Sequence, residues 1–349
     1  MPRGVFLSFV CLTKWLFLDV WLASDEPPCL GTQTPGLAGH TFSERLIAWK
    51  CALVLITMPF ELIVYRPRGR TPVTIEEVDR ITKDLSHFTK QEFDEERVQW
   101  RYKNADTGVH FVIKYDREKR RPDFPEWNSS PLTILIGLGK PSFFGYEAFP
   151  VMDRILKNLN LAALDPQRTD VRKQPAKLTV DQIRESWQKS NAAELEAAKS
   201  REKSLAVAPK DKLDMFWRYM NSRPTLQESL GPDVLVPAIN MHRARDGSVK
   251  LSCIWPDATR AVIPHVDFVL VQREVKKLLS KRSVSGAVPY SKIEKLLRSR
   301  SEVCMQPVEY LLFNRQADDE LLESLEALEL ESTSQYSKLS PDEVIEASR

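Results

Sequence analysis

The chain has 349 residues, of which 42% are hydrophobic and 28% charged. Such a composition places it in the ordinary globular class, with one large domain or two smaller ones around a sizeable core, and not among fibrous or wholly disordered polymers. A formal net charge of +2 supplies no sustained field of one sign, so neither nucleic acid nor a membrane surface is a default partner.

The five cysteines, Cys11, Cys29, Cys51, Cys253 and Cys304, are odd in number and lack the close paired spacings of a zinc site or a secreted disulfide framework. A reducing, cytoplasmic setting fits that usage. Residues 1–57 hold three of these cysteines but show no sustained helical or alternating pattern. Val5 to Ala23 is apolar enough to suggest a membrane span, yet Lys14 and Asp19 fall inside it, each costing roughly 2.5–3.5 kcal/mol near a bilayer centre. No stable span is expected. Lys14 also interrupts the short apolar run of a signal peptide, and Trp21-Leu22-Ala23 is a poor cleavage site. Patterned sequence begins at Met58-Pro59-Phe60, which marks Met58 as the expected start and 1–57 as an extension or disordered leader.

Phe60 to Tyr65 then reads as a strand, and Thr74 to Leu85 as an amphipathic helix opened by a capping box of Thr74 and Glu77. Val98, Trp100 and Tyr102, followed by the loop Asn104 to Gly108 and by Val109, Phe111, Ile113 and Tyr115, predict a half-buried hairpin. Leu132 to Leu138 gives a further strand, and Phe143 to Leu159 a helix interrupted or kinked at Pro150. Thr179 to Ser204 is helical by propensity and reads as a surface helix or connector, with Asp211 to Asn221 a shorter helix of mostly core residues. Strands follow at Val234 to Met241, Val249 to Trp255 and Ala261 to Val271, the last broken by Pro264. Tyr290 to Arg298 reads as a helix and Val308 to Phe313 as a short strand. From Gln316 onward ten acidic residues stand against Lys338 and Arg349, which predicts a frayed helix and a disordered tail. The fold class expected is α+β, with antiparallel or mixed sheets, helices packed on one face and two subdomains, 58–170 and 231–315, joined by a helical connector over 171–230 and followed by the acidic tail 316–349.

Chemistry-bearing motifs are mostly missing. Gly137-Leu138-Gly139-Lys140-Pro141-Ser142 follows a strand as a phosphate loop does, but Ile134 stands where the first glycine belongs and Pro141 where Ser or Thr should follow the lysine. A tight strand-to-helix turn is the better reading. His87, His110, His242 and His265 are scattered singly, so no metal ligand set forms, and His110 is expected to be exposed on its hairpin. No Gly-x-Ser-x-Gly elbow occurs, and Cys253 alternates with Leu251 and Trp255 as a small buried hydrophobe would. No catalytic, cofactor or metal residue is assigned.

Two features remain for binding. Trp127, Phe143, Phe144 and Tyr146 lie in or beside loops and are candidates for contact with a protein partner, ordinary core packing at a helix start being the competing reading. Arg273 to Arg300 holds nine basic residues, among them Arg273, Lys276, Lys277, Lys281 and Arg282, and is the candidate polyanion surface, with a solvated face as the alternative. The acidic tail is also placed to fold back over that basic segment.

Trp100-Arg101-Tyr102-Lys103-Asn104 with Thr107-Gly108-Val109, Pro141-Ser142-Phe143-Phe144 with Glu147, and Leu164-Asp165-Pro166-Gln167 resemble an uncharacterised bacterial paralogous family, over Met58 to about Leu297. That resemblance implies lineage-specific copies, some similar families acting as immunity proteins against polymorphic toxins, and it carries no catalytic residues. The function expected is noncatalytic protein binding, with an immunity role as its most concrete form, nucleic-acid binding through 273–300 as the alternative and an enzyme without a recognisable motif as the third reading.

Overall fold

Alternation of apolar and polar residues builds the first sheet. The computed structural model describes residues 59–119, 121–167, 174–201, 206–256, 258–277 and 280–347, with only the backbone described at 201, 274–277 and 280–283. The expectations for residues 1–57 lie outside the described residues. Strand β1 (Phe60–Pro67) turns Phe60, Leu62 and Val64 to the core. It sits in a six-stranded antiparallel sheet with β2 (Phe88–Glu92), β3 (Arg97–Lys103), β4 (His110–Asp116), β5 (Trp127–Ile136) and β6 (Ala162–Leu164), in the order β2-β3-β4-β5-β1-β6. The expected hairpin is β3–β4, with Trp100 opposite Ile113 and Tyr102 opposite Phe111. All four side chains are buried. Its loop closes where Gly108, at φ +75°, donates its N–H to the Asn104 carbonyl at 2.8 Å.

Helix α1 (Ile75–Lys83) begins with the anticipated capping box, Thr74 and Glu77 each satisfying the other's backbone N–H. Glu77 also holds Arg66 of β1 through two bonds of 2.8 and 2.9 Å, tying helix to sheet. Helix α2 (Phe143–Asn158) runs on through Pro150 and buries Phe143, Phe144, Phe149, Met152 and Ile155. Helix α3 (Val180–Arg201) seats Ile183 and Trp187 in the same core. After β7 (Ala206–Ala208), helix α4 (Lys210–Leu230) buries Leu213, Phe216, Tyr219 and Met220. It extends well beyond the expected Asn221, ending at Gly231, whose φ of +77° stops it.

The second main sheet has five strands: β8 (Asn240–Ala244), β9 (Val249–Pro256), β11 (Phe268–Lys277), β12 (Ser280–Pro289) and β15 (Tyr336–Leu339), ordered β12-β11-β9-β8-β15. Within this sheet only the β9–β11 pairing is parallel, so the fold is α+β with antiparallel and mixed sheets, as expected. A three-stranded sheet of β10 (Ala261–Pro264), β14 (Tyr310–Phe313) and β13 (Glu302–Cys304), together with helix α5 (Tyr290–Leu297), completes this half. The described residues form one compact unit, and one continuous apolar core runs from Phe60 to Val344.

The expectation of a disordered tail is corrected. Helix α6 (Asp319–Glu326) is capped by Asp318, whose carboxylate accepts the Leu321 N–H, and it buries Leu321 and Leu325. β15 then pairs with β8, and β16 (Val344–Glu346) pairs in parallel with β7. Net acidity masks a sparse apolar pattern of Leu321, Leu325, Leu339, Val344 and Ile345, all of it buried. Gly286 of β12 makes room for this segment: a Cβ there would lie 2.5 Å from the Leu330 Cβ and 3.2 Å from the Glu331 carbonyl. Gly286→Ala is therefore expected to lose about 1–3 kcal/mol of stability through overpacking, read as a lower urea midpoint.

Candidate functional site

The β5–α2 connection is held by protein groups, as a turn rather than a phosphate cradle. Gly139 adopts φ +72° and reverses the chain. The buried Asn191 of α3 clamps Lys140 from both sides, accepting its N–H at 3.0 Å and donating to its carbonyl at 2.7 Å. The Ser142 N–H donates to the Glu346 carboxylate at 2.9 Å, and the Lys140 amine donates to the Asp342 carbonyl at 2.9 Å. The Lys140 and Ser142 amides and the Lys140 amine, which a phosphate loop would aim at a ligand, are thus turned to the chain's own residues.

Beside this turn lies a cleft of about 370 Å³, lined by Ser142, Tyr146, Asn191, Leu195, Lys210 and Glu346 among others. The Lys210 amine donates to Ser142 Oγ at 2.7 Å, which resembles a serine nucleophile with a lysine base. Lys210 also makes bonds of 2.9 and 3.0 Å to Asp214, one helical turn along α4. Burial pulls its pKa down, but the Asp214 hydrogen bond and the charges of Glu346 and Asp214 prevail, so it rises above the ordinary lysine value. A lysine held protonated donates to the serine and does not take its proton.

A second serine pair is sealed. His242 Nε2 lies 2.8 Å from Ser252 Oγ, but Ser252 is fully buried, and Phe268 and Tyr336 stack beside the pair with centroids 4.5 Å apart. Burial first, and Lys338 second, lower the His242 pKa. Cys253 is fully buried and its thiol is pushed up to about 12, which makes it the inert small hydrophobe anticipated. Among the described residues no group of three His, Cys, Asp or Glu side chains is gathered as a metal would need.

Glu147 is the polar centre that sequence reading missed. This buried carboxylate of α2 accepts from Tyr102 (2.9 Å), Asn104 (2.9 Å) and Thr107 (3.0 Å) on one oxygen and from the Trp217 indole (2.9 Å) on the other. It joins the β3–β4 hairpin to α2 and α4. Its local signal is a lone acid inside the apolar run Phe143 to Met152, and the stretches that carry the family resemblance include it together with Tyr102, Asn104 and Thr107.

The four candidate partner residues do not form one surface. Phe143 and Phe144 are completely buried, so their side chains serve the core. Tyr146 forms the cleft wall, flanked by Trp217, Arg184 and Lys210. Trp127 opens β5 at the opposite end from α2, roughly 30 Å away by strand rise. In the basic segment, Arg273 donates to the Leu325 carbonyl at the end of α6, and Arg300 pairs with Glu320 (2.8 Å) and Asp318 (3.8 Å). The acidic segment does fold back onto two of these arginines. Lys276, Lys277, Lys281 and Arg282 fall on the β11–β12 hairpin, where the register sets Lys276 opposite Lys281. Their side chains are outside the described set. His110, expected to be exposed, is half-buried, with Phe144 against its ring and the Gly108 carbonyl 3.1 Å from its Nδ1.

A different surface stands open. β13 pairs with β14 on one side only among the described residues, and Val303 and the following Met305 are 46% and 63% exposed. Compared with known proteins, the chain matches no family model, no curated protein and no solved structure.

Proposed function

We propose that the chain is a noncatalytic protein-binding protein whose partner adds an extended segment to the free edge of β13. The observation that carries this reading is the exposure of Val303 and Met305 on and just beyond a strand that has no second partner among the described residues. Unpaired strand N–H and C=O groups form a template for a partner's backbone, and exposed apolar side chains beside them reward its arrival. Natural edges are usually blunted by charge, and at this one Glu302 alone is charged within the strand. The resemblance to a family of lineage-specific copies makes a toxin the class of partner to test first, with the chain as its immunity protein.

The test is the double variant Val303→Lys with Met305→Lys. Its stability is expected to stay within about 0.5 kcal/mol of the parent, because neither side chain is in the core. Recovery of a stoichiometric partner from the native host is expected to fall by about tenfold or more. Undiminished recovery would refute the edge as the docking site.

A second reading, polyanion binding by the β11–β12 hairpin, is favoured by the backbone register that brings the basic positions Lys276 and Lys281 opposite each other on one hairpin. It predicts affinity for single- or double-stranded nucleic acid that falls steeply with salt. A flat salt response would dismiss it.

A further inference from the structure

We propose that the cleft beside the β5–α2 turn is a binding site for a small, neutral, hydroxyl-rich ligand of one or two sugar rings. Its volume of about 370 Å³ falls in the range of small-molecule sites. Four elements meet around it: α2 supplies Tyr146 and, at its N-terminal cap, Ser142; α3 supplies Gln188 and Leu195; α4 supplies Lys210; β16 supplies Glu346. All six residues are half-buried.

The cations of the cleft are already matched. The Lys210 ammonium has three hydrogens, of which Asp214 takes two at 2.9 and 3.0 Å and Ser142 Oγ the third at 2.7 Å. Lys199, also in the lining, is paired with Glu196 at 3.0 Å. An anionic ligand would have to break one of these pairs and then lie against Glu346. A cationic one would gain the Glu346 carboxylate but meet Lys199 and Lys210 around the same opening. Either charge costs desolvation with little to offset it, so a neutral ligand is favoured.

The hydrogen-bonding capacity left over is of both kinds. Ser142 Oγ accepts from Lys210, which leaves its own hydrogen to give. One Glu346 oxygen accepts the Ser142 N–H at 2.9 Å, and the other has no donor among the described residues. The Gln188 amide and the Tyr146 hydroxyl likewise have no hydrogen-bond partner among the described residues, and each can both give and accept. A hydroxyl donates and accepts through one oxygen, so neighbouring ring hydroxyls suit this mixed lining. Leu195, Ala192 and the Tyr146 ring supply apolar surface to match the C–H face of a sugar ring. The ring is already held in place by Trp217, with centroids 5.8 Å apart, and by Lys210 and Arg184 at 5.2 and 5.4 Å, which lowers the cost of ordering it on binding. The cleft is built from other elements than β13, and the inference stands whether or not that edge binds a partner.

Saturation-transfer NMR of the whole chain with D-glucose, D-galactose, N-acetyl-D-glucosamine and maltose tests the site. D-glucuronate and D-glucosamine serve as charged counterparts of the glucose ring, at about pH 6, where the amine is protonated. At least one of the four neutral sugars is expected to bind saturably with a Kd of about 1 mM or tighter, and both charged sugars about tenfold more weakly than the best neutral one. Leu195→Trp, which fills the cleft, should abolish that binding, and Gln188→Leu, which removes an amide with no internal partner, should weaken it about three- to tenfold. No saturable binding by any of the four, a charged sugar bound as tightly as the best neutral one, or parental affinity in both variants would each overturn the proposal. If Leu195→Trp loses the parental circular-dichroism spectrum, Gln188→Leu decides alone: weakened binding supports the cleft and parental affinity refutes it.

Discussion

Replacing Glu147 by alanine is expected to remove about 3–5 kcal/mol of stability, because it orphans several buried donors at once. Tyr102, Asn104, Thr107 and Trp217 all direct hydrogens at its two oxygens, and Tyr102, Asn104 and Thr107 are themselves buried. Burial first, then the charge of Glu147 and the hydrogen bond to it, raise the Tyr102 pKa, so its hydroxyl remains a donor throughout the physiological range. Water cannot readily replace the lost acceptor beneath α2. Glu147→Gln should cost less than alanine but more than a surface change, since the amide keeps one acceptor and turns an NH2 toward existing donors. Trp217→Phe, which deletes one donor and leaves the other three satisfied, is expected to cost about 1–2 kcal/mol. Urea midpoints of the three variants give the ranking. If alanine and phenylalanine variants prove equal, the carboxylate is not the shared anchor of the hairpin and the two helices.

Elements whose residues obey a local rule were legible in the sequence. The Thr74–Glu77 box opens α1, the alternation from Val98 to Tyr115 forms β3 and β4, and Cys253 takes its place in the inner face of β9. What stayed hidden depends on distant residues. The acidic segment from Gln316 orders because five of its apolar side chains are buried, β15 and β16 pair with β8 and β7, and Leu330 packs at Gly286 of β12, facts its charge density conceals. The basic run from Arg273 divides between a hairpin and a helix with the turn after it, and Arg273 and Arg300 are engaged by α6. Phe143 and Phe144 are apolar enough for either a docking loop or a core, and only the packing of α2 decides for the core. The edge of β13, open among the described residues, was likewise invisible, because an edge is defined by which strands stand beside it. Glu147 shows the same limit from the other side: one acid among phenylalanines looks like noise until four donors are seen around it.

Trp187→Ala is expected to cost about 3–5 kcal/mol, as truncation of a fully buried large aromatic does. The indole of α3 lies edge-on to Phe149, with ring centroids 5.7 Å apart, and enters the core over Gly145, where an added Cβ would meet its ring at 3.2 Å. Glycine at 145 is thus the space the indole occupies. Its Nε1–H donates to the Gly137 carbonyl at 3.1 Å, the first of three bonds by which α3 fixes the turn before α2; Asn191, four residues on, makes the other two to Lys140. Alanine leaves both a cavity and an unpartnered carbonyl, whereas Trp187→Phe keeps most of the ring and loses the hydrogen bond, for about 1–2 kcal/mol. Denaturant midpoints give both values, and hydrogen exchange across Gly137 to Phe144 shows the coupling directly. Faster exchange there in the alanine variant, by clearly more than the global loss shared with β9, is the expected pattern, since α3 makes three of the bonds that fasten the turn. Protection that falls equally in β9 would instead mean that Trp187 supports the whole core and not this turn in particular.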